Sequence, residues 1–128
     1  MDDKINLKKR MVTINYAYRC HKQAARLQGF LPLSREIWDK IVFDPCFYCG
    51  DVDERIFFDS PKRIDFDGYH VKINGIDRIN SNLGYLKENS VSCCKMCNSM
   101  KSDYPQEHFL SHVSYVFNNL VRFNKIDL

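Results

Sequence analysis

Two Cys-x-x-Cys units, Cys46-Phe47-Tyr48-Cys49 and Cys94-Lys95-Met96-Cys97, constrain this 128-residue chain more than any other feature. Each offers two thiolates on one tight turn, and two together complete the tetrahedral sphere that a structural Zn²⁺ prefers. The 44 residues between Cys49 and Cys94 then start and finish at one point in space. Such a staple suits a chain too short to combine a deep core with an open functional surface. Gly50 fits the turn that closes the first unit, and a redox motif would not explain two units, so zinc is the expected metal. Cys93 falls one residue out of register and is expected in the core. Cys20, on a helix without a partner pair, is expected to be a small buried apolar residue.

The chain opens Met-Asp-Asp-Lys, without a basic stub and an apolar run, so the expectation is a protein that is not secreted. A reducing cytoplasm, or the host cytosol if the protein is viral, would keep paired cysteines as metal ligands. No apolar run approaches the roughly 18–20 residues that span a bilayer, so no membrane partner is expected.

The net charge of +3 is unevenly placed. From Lys4 to Arg35 there are eight Lys or Arg and no Asp or Glu, whereas Cys46 to Tyr104 carries eight basic and nine acidic residues. A basic segment of this kind can neutralise phosphates with a steep salt dependence; its bland alternative is a solvated helix face. Periodicity predicts one helix over 4–28, with Leu7, Met11, Ile14, Tyr18 and Ala25 on the packed face and Lys8, Asn15, Arg19, Lys22 and Arg26 in a second stripe able to touch phosphate. Ser34 is a cap for a short helix holding Ile37, Trp38, Ile41 and Val42, stopped by Pro45.

Residues 50–68 read as an irregular loop or weak hairpin, Tyr69 to Ile73 as a strand, Asn74-Gly75 as a turn or bulge, and Ile76 to Ile79 as a second strand. Asn80 to Glu88 is a loop, Ser90 to Cys93 a strand, and 94–102 a helix. A last helix starts at Pro105, and its stripe of Phe109, Val113, Val116, Phe117 and Leu120 is expected to close the core. His108 and His112, four apart on it, lack a third ligand nearby and are assigned to solvent. With no repeat or linker, the chain reads as one α+β domain over 1–128: a basic helical segment (1–45), a zinc-stapled core (46–102) and a C-terminal helix (103–128).

Residues 75–101, from Gly75-Ile76-Asp77-Arg78 through Asn89 to Cys94-Lys95-Met96-Cys97-Asn98-Ser99-Met100-Lys101, closely resemble the core of HNH endonucleases of phages, mobile elements and some restriction systems. The resemblance implies a ββα-metal, treble-clef-like core and a phosphodiester hydrolase acting on duplex DNA. It implies Asp77 and Asn98 as protein ligands of a catalytic Mg²⁺ or Mn²⁺, and Asn89 as the amide that braces the active-site loop. Oxygen ligands of this kind favour hard ions over zinc. Alanine at Asp77 or Asn98 is accordingly expected to abolish cleavage while leaving zinc and fold intact.

Arg78 departs from the usual pattern, standing where most members carry the histidine that activates water. Arginine does not act as a base, but it can clamp the scissile phosphate. The Asp-Arg form is itself a variant of the family. His70, on the strand leading to Asp77, is then the first candidate for the base, with His21 and Tyr85 in reserve. Lys101 is a phosphate contact or a surface lysine. The competing functions are a nucleic-acid-binding module that has lost cleavage and a structural zinc domain that binds protein; the sequence leaves the oligomeric state open and is compatible with a homodimer.

Overall fold

The computed structural model describes residues 2–50, 63–66 and 69–127, with side chains over 3–50 and 71–127. Helix α1, Asp2–Leu27, is about 39 Å long at 1.5 Å per residue. It packs on two four-residue strands, β1 (Arg63–Phe66) and β2 (Tyr69–Lys72), each spanning only about 13 Å. This mismatch of lengths explains why the expected apolar face is realised in part. Ala17 and Ala25 are buried and Ile14 and Tyr18 half-buried, but Leu7 and Met11 are exposed, as is Cys20, which corrects its expected place in the core.

Helix α2, Arg35–Val42, begins where the sequence predicts: the Ser34 hydroxyl accepts from the Ile37 amide at 3.3 Å. Its buried Trp38 and Val42 join Ala17, Leu33, Val71 and Ile73 in the main core. Tyr18 lies against that core and donates its hydroxyl to the Leu33 carbonyl at 2.7 Å, so its polar end is satisfied.

Strands β1 and β2 form an antiparallel hairpin with Asp65 opposite His70, so residues 63–66 of the segment read as loop or weak hairpin are strand. The rest of that segment, 51–62 and 67–68, lies outside the described residues. Strands β3 (Gly75–Arg78) and β4 (Ser90–Cys93) pair antiparallel, with Asp77 opposite Val91 and Arg78 opposite Ser90. Helix α3, Lys95–Lys101, follows directly and packs on β3.

Helix α4, Gln106–Arg122, starts after Pro105, but it does not close the core. Phe109 is its buried residue, while Val113, Val116 and Phe117 are exposed. Amphipathic spacing marks a face able to bury apolar groups without guaranteeing that this chain covers it. Among the described residues the architecture is α+β, four helices with two small antiparallel sheets, and no helix is long and apolar enough to cross a membrane.

Candidate metal centre and the Asp77 site

The first cysteine unit is bound to the sheet that carries the second. The Phe47 amide donates to the Ser92 carbonyl on β4 at 2.8 Å, and the Ser92 hydroxyl donates to the Asp44 carbonyl at 2.8 Å. Gly50, at φ +66, supplies the left-handed turn that lets its amide reach back to the Cys46 carbonyl at 2.9 Å. The second unit opens α3, with Cys94 as N-cap: its sulfur accepts from the Cys97 amide at 3.4 Å, where the helix dipole favours a thiolate.

The sulfurs of Cys46, Cys49, Cys94 and Cys97 all lie within 4.8 Å of one another. Tetrahedral zinc with Zn–S bonds of about 2.3 Å requires S···S separations of roughly 3.8 Å. The Cys49–Cys94 separation is 3.7 Å, well beyond a disulfide and close to that value. The donor set and spacing therefore fit a metal ion such as zinc.

Proton affinities within the cluster agree. Burial opposes ionisation of Cys46, but backbone hydrogen bonds from Cys49, Cys94 and Tyr48 outweigh it and lower the pKa from 9.0 to about 7. Burial, then hydrogen bonding to neighbouring cysteines, raises Cys49 and Cys97. Without a cation the pocket admits little negative charge, and a dication would supply the compensation. Cys93, adjacent in sequence, stays outside this cluster; it is buried, raised mainly by that burial, and directs its thiol to the Cys94 carbonyl at 3.5 Å.

Asp77 sits one residue before the end of β3 and is 5% exposed. Both of its carboxylate oxygens are engaged. The Tyr48 hydroxyl donates to Oδ2 at 2.6 Å, and Lys101 Nζ donates to Oδ1 at 3.1 Å. Lys101 also reaches the Arg78 carbonyl at 3.2 Å, and its side chain is wholly buried. The amine thus points inward from α3, which replaces the expected surface or phosphate contact with an internal ion pair. Burial and the Asp77 hydrogen bond push the Tyr48 hydroxyl pKa upward, so the phenol remains a proton donor. Nothing local in the sequence marks Tyr48 for this contact, since Asp77 lies 29 residues away.

Asn98 is exposed on α3, three residues before Lys101, and residues so spaced are neighbours on a helix surface. A carboxylate offers about four lone-pair sites, and Tyr48 and Lys101 use two of Asp77's. Asp77 and Asn98 each carry a side-chain oxygen, the donor type that suits a hard divalent ion and differs from the thiolates of the cluster.

The loop after β3 is held from within. The buried Asn89 accepts from the Asn80 amide at 2.9 Å and donates to the carbonyls of Asn80, at 3.1 Å, and Gly84, at 2.9 Å. Arg78 secures the same loop from outside. Its guanidinium donates to the carbonyls of Ser81 and Leu83 at 2.7 and 2.9 Å, and to Gln28 Oε1 at 2.8 Å. It lies 4.8 Å from the Phe30 ring centroid and 5.4 Å from that of Tyr85, within cation–π range. A β-carbon on Gly84 would come within 2.9 Å of the Phe30 ring, so a side chain there would disturb this packing. Arg78 thus ties the loop to the segment following α1.

His21 Nε2 accepts from the Leu33 amide at 3.0 Å, which occupies the lone pair a general base would need at that nitrogen. Tyr85 accepts at its hydroxyl from Gln28 at 3.1 Å. His70 is a β2 residue whose side chain lies outside the described ones. His108 stacks on Tyr104 at 5.2 Å, and the four-cysteine group is the only cluster of three or more His, Cys, Asp or Glu ligands among the described residues. Arg19 and Arg26 are exposed, and half-buried Lys22 lies over the Tyr18 ring at 5.3 Å.

No family model matches the chain, and no solved structure matches it. An uncharacterized protein of Acanthamoeba polyphaga mimivirus is 34% identical over 94 residues, which is 73% of this chain. The chain spans only about 15% of that viral protein's length.

Proposed function

We propose that the chain is a metal-dependent endonuclease of the HNH type that hydrolyses phosphodiester bonds of duplex DNA. The observation that carries this reading is the joining of Asp77 on β3 to α3 through Lys101, within a strand–loop–strand–helix unit whose helix is capped by a cluster thiol. That arrangement supports Asp77 and Asn98 as ligands of one Mg²⁺ or Mn²⁺. Such an ion would stabilise the charge that develops on the leaving 3′ oxygen. The four cysteines would hold a separate structural zinc.

Each neighbouring group has a part. Three of the five guanidinium donors of Arg78 serve the loop and Gln28, which leaves two for a phosphate oxygen. Asn89 keeps the loop that follows Asp77 in one conformation. The base proposed for the attacking water is His70, since His21 Nε2 already accepts the Leu33 amide. Arg19, Lys22 and Arg26 on α1 are proposed to contact DNA phosphates.

A second reading, a zinc-stapled nucleic-acid-binding module without cleavage, draws on a specific observation. Asp77 is almost fully buried and already paired with a cation, as a structural aspartate would be. Conversion of supercoiled plasmid to nicked circles separates the two readings: nicking with Mg²⁺ that EDTA stops favours the nuclease, and salt-sensitive binding without nicking favours the module.

A further inference from the structure

Tyr48 belongs to two sites at once. Its backbone lies between the ligand cysteines Cys46 and Cys49, and its hydroxyl is 2.6 Å from Asp77 Oδ2, 29 residues away in sequence. The Gln106 amide donates to the same hydroxyl at 3.3 Å, which takes an acceptor site on the phenol and directs its own proton to Asp77. The ring is fixed from two sides, by Phe47 at 5.2 Å and by the buried Phe109 at 5.4 Å, both edge-on.

We propose that Tyr48 is a positioning residue through which the zinc knuckle sets the Asp77 carboxylate for the divalent ion. This rests on the nuclease reading. The physical argument concerns two competing holds on one carboxylate. Lys101 draws Oδ1 toward α3, while Tyr48 holds Oδ2 on the side of the first cysteine unit. Without the hydroxyl, the carboxylate is free to turn fully to the ammonium, and an incoming cation must displace a stronger pair. The knuckle thus transmits the order imposed by the thiolate metal to the second metal position. Hydrogen-bonding partners of metal ligands commonly account for about 10- to 100-fold in affinity.

The test is a Mn²⁺ titration followed by electron paramagnetic resonance on zinc-loaded full-length protein, comparing wild type, Asp77→Asn, Tyr48→Phe and Gln106→Leu. Tyr48→Phe keeps the ring and its packing, and zinc content reports whether the cluster survives. Gln106→Leu removes the partner of the hydroxyl from a position remote from the thiolates, so it serves if the first variant fails to load zinc. Wild type should bind Mn²⁺ at a site that Asp77→Asn abolishes. Tyr48→Phe should retain zinc and bind Mn²⁺ about 10-fold more weakly, with Gln106→Leu showing a smaller loss in the same direction. Wild-type Mn²⁺ affinity in a zinc-replete Tyr48→Phe protein overturns the inference alone. Absence of an Asp77-dependent Mn²⁺ site in wild type overturns it together with the nuclease reading.

Discussion

Lys101 Nζ lies 3.1 Å from Asp77 Oδ1, with the two side chains 0% and 5% exposed. Removing one member of a buried pair strands the other charge in a poorly solvated site, at a cost of about 3–5 kcal/mol. Lys101→Ala should therefore destabilise the protein by about that amount, read from urea unfolding at constant zinc. Asp77→Ala should do the same, contrary to the simple expectation that a ligand substitution spares the fold. Asp77→Asn, which keeps an oxygen near Lys101 and Tyr48, is the gentler probe of chemistry.

The cysteine cluster yields a second prediction. One zinc per chain should be found by metal analysis. Serine at Cys46, Cys49, Cys94 or Cys97 should lower zinc content and loosen the first unit, β4 and α3, because metal binding supplies folding free energy directly. Serine at Cys93 or Cys20, which stand outside the cluster, should leave zinc content unchanged.

Asn89→Ala tests the loop. The substitution deletes three hydrogen bonds and leaves the Asn80 amide and two carbonyls without their partner. A loss of about 1–3 kcal/mol is expected, with amide exchange faster over 79–89 than in α2. Uniform exchange across both regions would mean that the loop does not depend on this amide.

The basic stripe makes a separate prediction about binding. Joint replacement of Arg19, Lys22 and Arg26 by Gln should weaken duplex DNA binding and flatten its salt dependence, since each lost phosphate contact removes about 0.9 from the log–log slope. An unchanged slope would return α1 to the role of a solvated helix.

The elements legible in the sequence were those with local causes. Ser34 capped α2 because its hydroxyl needs only the Ile37 amide three residues on. The cysteine units are legible because each sets two thiols within four residues, and the fold brings the two pairs within 4.8 Å of one another. What stayed hidden depended on distant neighbours. Arg78 reads in the sequence as a phosphate clamp, but not for its second task of tying the loop to Gln28, Phe30 and Tyr85, which come to it from elsewhere in the chain. Lys101 reads in the sequence as a phosphate contact or a surface lysine, and only the packing of α3 on β3 turns it inward to Asp77. The stripe of α4 is amphipathic, yet periodicity does not say what covers a helix face, and among the described residues Val113, Val116 and Phe117 are left exposed.

If Asp77 and Asn98 serve one catalytic ion, plasmid nicking by matched variants reads it out. Wild-type protein should nick supercoiled plasmid in Mg²⁺ and stop in EDTA. Asp77→Asn and Asn98→Ala, each verified to keep its zinc and its DNA affinity, should lose nicking under the same conditions. Nicking at the wild-type rate by zinc-loaded Asp77→Asn protein would mean that Asp77 holds no catalytic ion.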